Sequence, residues 1–467
     1  MNEQFLQTDW VNTKPVFYNE TTRKFSHNIH ELIDYKNLEL DAEGFNNYLE
    51  FGYSVFNQTP IKNIKFLDAC SKISLADGNL KIENLPDPLF DHANQRSTPE
   101  QILDLLRKNI NDWEDRTAGE IILPLSGGND SRLIASMIKD PSRVRTFTYG
   151  ISDNQRKSKE VVYAEAVAKK LGMRWNFVPL ENIHKYFGEW DNFFGPSVHA
   201  HGMYHFPFYN ALKGVMPLEN VGFLSGIFGD SWAGAIRTDK FNSPDELIKI
   251  SYNHGMCADR NMSLLKSKDE QRLAFWNKHK DTINQGYFQS TLFCRMKMIL
   301  ISYLLTIPES YGLRPYAPIF EPDIALGMLN LPQEIRQNRQ WQADYFKSVG
   351  LDVENWGLRF DESNTLNLWA LEEMVPPPLD TKLLKDVLNS NYIEDINNTL
   401  KNSTNTLRIK KLIHNIFRIP KVGGALKMLG FTDPYRLNNK EGMAYYAYLV
   451  IKPIELALQK SAEFKKR

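Results

Sequence analysis

The chain has 467 residues, and its 56 Lys and Arg balance 56 Asp and Glu, so it has no formal net charge. A neutral chain has no global field with which to hold a nucleic-acid backbone or an anionic membrane, and any polyanion has to be met by a local patch. Hydrophobic residues at 42% and charged residues at 24% exclude a disordered or fibrous chain, and the length is a prior for about two to four domains. Cys70, Cys257 and Cys294 are odd in number and widely spaced with no CxxC, which leaves neither a disulfide framework nor a zinc ribbon to read and points to a reducing compartment. Met1-Asn2-Glu3-Gln4 lacks a basic stretch leading into an apolar one, and the apolar run from Met298 to Ile307 stops at Pro308, short of a bilayer span. The expectation is a cytoplasmic protein without membrane insertion.

The amino-terminal part reads as β-rich. Pro15–Tyr18 and Phe25–Ile29 flank a polar turn, and Asp77-Gly78 turns between Ile73–Leu75 and Leu80–Ile82, so each pair predicts a hairpin. Thr98, Pro99 and Gln101 have the spacing of a capping box ahead of Ile102, Leu105, Leu106, Ile110 and Trp113 at helical period. This places a boundary near residue 96. Beyond it the pattern alternates: strand 121–125, helix 131–138, strand 144–149, helix 158–171 ending at Gly172, strand 175–180 and strand 221–224. Such alternation predicts an α/β fold, a parallel sheet with helices on both faces. Pro124 fits only at a strand end, since it offers no ladder donor. From about residue 245 the pattern is mostly helical, interrupted at Pro308–Pro322 and Pro376–Pro378, and no internal repeat is visible. The expected units are 1–96, 97–345 and 346–467.

The segment that speaks to chemistry is Ile121-Ile122-Leu123-Pro124-Leu125-Ser126-Gly127-Gly128-Asn129-Asp130-Ser131, a strand entering a loop of small residues and then a helix. Glycines let backbone approach a ligand, and the amides opening the helix suit phosphate groups. It is not the GxxxxGK[ST] loop, because the spacing is shorter and no Lys follows. Asp130 makes sense in an anion site if a divalent cation bridges it to phosphate oxygens; otherwise it caps a tight turn.

Ser126-Gly127-Gly128-Asn129-Asp130-Ser131 resembles the pyrophosphatase loop of the asparagine synthetase family, whose members cleave ATP between the α and β phosphates to form an acyl-adenylate. Thr146–Gly150 with the helix from Tyr163 to Gly172, Leu224-Ser225-Gly226-Ile227-Phe228-Gly229-Asp230, and Gly312–Glu321 resemble further segments of that family in the same order, as does Tyr48–Tyr53 upstream. The resemblance implies that Ser126, Gly127, Gly128, Asp130 and Ser131 meet pyrophosphate, that backbone near Pro124 and Tyr149 meets adenine, and that Ser225 and Gly226 sit near adenosine. It also implies Asp130 and Asp230 as ligands of Mg2+, one from each strand end, in keeping with ligand binding beyond the carboxyl ends of open parallel sheets.

The departures narrow the reading. Where the amide-forming family has a glutamate after Leu-Ser-Gly, this chain has Ile227, which cannot move a proton. The family's substrate-site glutamate aligns with Arg314, whose guanidinium suits a carboxylate, phosphate or sugar acid if it faces a pocket, and otherwise serves a structural ion pair. Asparagine synthesis is therefore not expected. Residue two is Asn2 and the region before Tyr48 is short for a glutaminase domain, so the amino-terminal unit reads as an inactive remnant and glutamine hydrolysis is not expected. His199, His201 and His205 precede the Asp230 strand as the family's acceptor segment does, and they are the candidates for a substitute base; their spacing is not that of a zinc site. Arg336, Arg339 and Lys347 offer counter-ions for pyrophosphate or simple exposed charges. Arg408, Lys410, Lys411, Arg418 and Lys421 interleave with Leu412, Ile413, Ile416 and Phe417, which predicts an amphipathic helix with a solvated basic face, and a membrane or RNA contact is the lesser reading.

These observations lead to an ATP-dependent, AMP-forming carbon–nitrogen ligase using ATP and Mg2+. Its catalytic residues would be Asp130, Asp230, His199, His201 and Arg314, and its partners a small-molecule carboxylate and an amine such as ammonia. No nucleic-acid partner is expected, and a homodimer is compatible with the sequence. The resemblance extends to families acting on other substrates, among them β-lactam synthetases and lasso-peptide cyclases, and by analogy to amidation of sugar acids or secondary metabolites. The alternatives are an RNA-modifying pyrophosphatase-loop enzyme, disfavoured by the zero net charge and scattered cysteines, and a nucleotide-binding protein without ligase activity.

Overall fold

The computed structural model describes residues 5–93, 95–235, 240–251, 255–419, 421–436 and 438–466. Asn2, on which the glutaminase expectation rests, lies outside the described residues.

Both amino-terminal hairpins form. Strands β1 (Phe5–Gln7), β5 (Ser71–Ala76) and β6 (Asn79–Asn84) make one antiparallel sheet, and β3 (Lys24–Ser26), β2 (Phe17–Asn19) and β4 (Ile64–Phe66) another. Between them lies a helix that the hydrophobic pattern did not announce, Ala42–Phe51. Its signals are at the ends: the Asp41 side chain accepts from the Gly44 amide, and Gly52 closes the helix in the left-handed region at φ 78°. The strands build a small core of their own from Val16, Leu67 and Ile73, but the larger amino-terminal side chains join the main one. Trp10, Phe45, Tyr48 and Phe51 belong to a buried cluster that continues through the rest of the chain to Ile454, and the Trp10 indole donates to the Phe320 carbonyl at 2.8 Å.

The central sheet is wholly parallel, with β7 (Ile121–Pro124), β8 (Val144–Thr148), β9 (Arg174–Phe177), β10 (Gly222–Leu224) and β11 (Arg314–Tyr316) in the order β11-β10-β7-β8-β9. The expected capping box opens the helix Pro99–Arg116, and Gly172 ends Lys159–Leu171 at φ 73°. Pro124 is the last residue of the middle strand, opposite Phe147, where its missing N–H costs no internal rung. β11 had no sequence signal because Pro315 lies inside it; an edge strand tolerates that.

Behind the loop after β7, Arg132 is buried. It pairs with Glu354 at 2.7 Å, donates to the Leu351 carbonyl at 2.8 Å and stacks over the Phe346 ring at 4.1 Å. This one side chain ties the helix Asn129–Ala135 to residues 346–354. Arg132→Met should lower the unfolding free energy by about 2 kcal/mol, because it removes a buried guanidinium from the half-exposed Glu354 and leaves the Leu351 carbonyl unpaired. The denaturation midpoint measures it, and an unchanged midpoint would show that the tie is unimportant.

The carboxy-terminal half is helical, as expected. Gly286–Ser310 is apolar and long enough to cross a membrane by composition, and 67% of its most apolar window is buried inside the protein. The last helix, Lys440–Lys466, is a core element: the Tyr48 hydroxyl donates to the Val450 carbonyl at 3.0 Å, and Tyr445 meets His184 Nε2 at 2.8 Å. The helix Ser403–Phe417 corrects the sequence reading. Lys410 and Lys411 turn inward to Glu441, Glu372 and Asp153, while Ile409, Leu412, Ile413 and Ile416 are exposed. The paired charges of Lys410 and Lys411 and the buried Leu407 hold this helix to the body, while Arg408 stays exposed as the pattern predicted.

Candidate functional site

The loops after β7 and β10 pack against each other at the carboxyl ends of their strands. Within the first loop, the Ser126 amide donates to Ser131 Oγ at 3.2 Å and the Gly128 amide to Ser126 Oγ at 3.3 Å, which curls the loop back on itself ahead of the short helix Asn129–Ala135. Gly127, at φ 66°, lies so close to Tyr163 and Ala164 that a Cβ would collide with both. It serves the packing of the loop. Gly229 does the same for the second loop: a Cβ there would fall 2.5 Å from the Asp130 carboxyl carbon, so only glycine lets the two aspartate-bearing turns meet. Phe228, just before it, is held in the left-handed region at φ 65°, a strain that a side chain other than glycine accepts only where the surroundings impose it.

A cavity of about 450 Å³ opens where the loops meet, and Pro124, Ser126, Gly128, Asp130, Ser131, Tyr149, Ser225, Gly226 and Asp230 all line it. Asp130 is the electrostatic centre. Burial, reinforced by the negative charge of Asp230, raises its carboxyl to about pH 7, against a weaker opposing pull from Arg339. Its Oδ1 is buried with no hydrogen-bond partner in the described structure, and Arg339 Nη1 stands 3.8 Å away. Two carboxylates on one cavity, Asp230 disfavouring the ionisation of Asp130 and one Asp130 oxygen unsatisfied, fit a hard divalent cation held jointly with ligand phosphates. Among the described residues there is no group of three or more His, Cys, Asp or Glu that could hold a metal by itself.

A second cavity, of about 630 Å³, adjoins the first and shares Tyr149, His205, Ile227, Asp230 and Leu304 with it. Ile227 thus stands at the junction, beside Asp230. Lys297 lines the second cavity only; it is 8% exposed, and burial lowers its ammonium pKa while the Asp230 charge supports it. His205 lies at the same junction with both ring nitrogens buried and lacking hydrogen bonds, and burial drives its pKa down to about 3. The ring is neutral across the physiological range and ready to bond a ligand.

The remaining sequence candidates fall elsewhere. His199 and His201 line a third cavity of about 470 Å³ with Tyr204 and Tyr303, and neither reaches the cavities around the aspartates. Arg314 is a correction. It is the first residue of β11, opposite Gly222, so it sits at the amino end of a parallel sheet whose ligand end is the other one, and its guanidinium bonds the Asn220 side chain at 2.7 Å. Arg314→Glu should therefore leave nucleotide turnover within about twofold of the parent, as surface changes remote from a site do, and a large loss in steady-state rate would return Arg314 to the site. Of the three basic residues considered as counter-ions, only Arg339 reaches the cavity, whereas Arg336 donates to the Leu329 carbonyl.

Two groups were missed by the sequence reading. Lys297 is one. Glu160 is the other: it lines the smaller cavity, its Oε2 is buried without a hydrogen bond, and burial raises its pKa. Its only sequence signal was its place in the first turn of the helix after β8.

No curated protein matches the chain. Residues 101–184, which run from the capped helix through the serine–glycine loop, β7, β8 and β9, match the family model described as asparagine synthase. Asp230, Ile227 and Lys297 lie beyond the matched segment. The part of the chain that carries the loop is thus similar to the asparagine synthase family over those residues.

Proposed function

We propose that the protein is an ATP-dependent, AMP-forming ligase that activates a substrate carboxylate as an adenylate and passes the acyl group to an amine. The observation that carries the reading is the pair Asp130 and Asp230 converging on one cavity, with an unsatisfied Asp130 oxygen. Asp130 and Asp230 would hold Mg2+, which when bound supplies charge neutralisation on the phosphates.

The chain's own groups divide the work. The Ser126–Ser131 loop and Arg339 receive the β and γ phosphates, and the wall formed by Pro124, Phe147 and Tyr149 receives the base. The larger cavity receives the acid. There Lys297 faces the carboxylate, and Ile227, Phe228 and Tyr303 give the rest of the molecule apolar and aromatic walls. A carboxylate oxygen attacks the α-phosphorus, the bond to the bridging oxygen breaks and pyrophosphate leaves. The amine nitrogen then attacks the acyl carbon, the bond from that carbon to the AMP oxygen breaks, and a proton leaves the nitrogen. His205, at the junction of the cavities, is placed to bond the incoming amine, but its depressed pKa makes it a hydrogen-bond acceptor that orients the nitrogen more than a strong base. Aspartate is not the acid on this reading, because Ile227 leaves its amino group without an acidic partner, and the amine enters without glutamine hydrolysis.

A magnesium-dependent pyrophosphate-release screen over carboxylic acids, with ammonia supplied, tests the proposal. Equal yields of AMP and pyrophosphate with one class of acid are expected. Asparagine formed from aspartate, or ATP bound but left intact with every acid, would contradict it.

A further inference from the structure

Residues 402–432 contain Arg408, Lys410, Lys411, Arg418, Lys421 and Lys427 and no acidic residue, in a chain whose total charge is zero. The same stretch holds two helices, Ser403–Phe417 and Val422–Met428, and apart from the buried Leu407 most of its large apolar residues face away from the core. Ile409, Leu412, Ile413 and Ile416 follow one another at helical spacing, which normally marks a buried stripe, and all four are exposed, Leu412 at 67%. Beyond them Met428 and Leu429 are 85% and 73% exposed. Nine of the exposed large apolar side chains among the described residues fall between 409 and 431. A contiguous patch of this kind on an otherwise ordinary surface marks a docking site.

The charges identify what docks. Lys410, Lys411 and Arg418 are tied to Glu441, Glu372, Asp153 and Asp361, and these pairs fix the stripe facing outward. Arg408 and Lys421 are exposed and have no ion pair among the described residues, so they flank the apolar ridge as available cations. An apolar ridge with basic flanks and no acid fits an anionic lipid surface, into which the ridge sinks to the depth of the headgroups while the cations meet phosphate. A second copy of the chain would bring the same cations against each other across a two-fold axis. A nucleic-acid backbone would use the cations and leave the ridge in water.

We propose that this helical pair docks the protein peripherally on a membrane bearing anionic lipid. The docked face is joined to the candidate site through the body: Asp153, which Lys411 holds, and Asp361, which Arg418 holds, belong to or bridge the loop that follows β8. The inference stands on the patch and not on the ligase reading.

The test is vesicle co-sedimentation of the full chain, with phosphatidylcholine alone and with an equimolar phosphatidylcholine–phosphatidylserine mixture. The parent should sediment with the mixed vesicles and stay in solution with the neutral ones, and salt should weaken the association. Arg408→Ala and Lys421→Ala should each lower partitioning by about fivefold, and the double change Leu412→Ser with Leu429→Ser should abolish it. These positions are exposed, so the variants should keep the parent's melting temperature, which is recorded alongside. Failure to sediment with either vesicle would overturn the proposal. So would serine variants that sediment like the parent, a dimer that Leu412→Ser dissociates, or RNA retention sensitive to the cations and indifferent to the ridge.

Discussion

Asp130→Asn should sharply lower magnesium-dependent ATP turnover while making the empty protein more stable at neutral pH. The loss follows from removing one of two carboxylates that line the cavity with the Ser126–Ser131 loop, and by comparison with loss of a single strong electrostatic contact it is on the order of 10²–10³ in rate. The gain follows from linkage. Without metal or nucleotide the folded protein holds a proton on Asp130 up to about pH 7, whereas the unfolded chain releases it near 3.8. Between those values the folded state binds more protons than the unfolded state, so its stability falls as pH rises, and the penalty is complete above about pH 7. Asparagine carries no such penalty. After a discount for the part of the side chain that water reaches, the variant should exceed the parent by about 2 kcal/mol at pH 8 in a chelator, and the two should converge below pH 4. Thermal melts across that range measure it. A variant less stable than the parent at pH 8, or one that turns ATP over normally, would show that Asp130 is a structural cap.

The second large effect concerns the two halves of the reaction. Lys297→Met should slow adenylate formation about 10²-fold and raise the KM for the acid, because it removes a buried cation of the larger cavity near Asp230. His205→Ala should spare adenylation, read as exchange of labelled pyrophosphate into ATP, and slow amide formation about tenfold, by loss of an orienting hydrogen bond to the amine. Equal damage to both steps by His205→Ala would place the ring in the nucleotide site alone, and normal acid kinetics in Lys297→Met would remove the ammonium from the acid site.

What the sequence showed and what it hid follow from the range over which each signal acts. Asp77-Gly78 and the Thr98–Gln101 box are local chemistry, and both elements formed where that chemistry put them. The Ser126–Ser131 loop was legible because its glycines and its aspartate are contiguous. Glu160 and Arg339 reach the smaller cavity and Lys297 the larger from separate elements, and only folding brings them near the loop. Arg314 misled for a related reason. Alignment fixed its place in the order of segments, but not which end of a three-residue strand it would occupy. The Ser403–Phe417 helix misled because amphipathic spacing fixes a stripe without saying which side faces the body. The ion pairs of Lys410 and Lys411 decide that, and their partners Glu441, Glu372 and Asp153 are far away in the sequence.

The most direct test of the central claim is to supply the accepted acid with oxygen-18 in its carboxylate and to weigh the products. Attack of the carboxylate on the α-phosphorus transfers one of its oxygens to that phosphorus, and the oxygen stays there when the amine displaces AMP. The account predicts one labelled oxygen in AMP for each amide formed and none in pyrophosphate. Unlabelled AMP, or ADP with the label in orthophosphate, would contradict it.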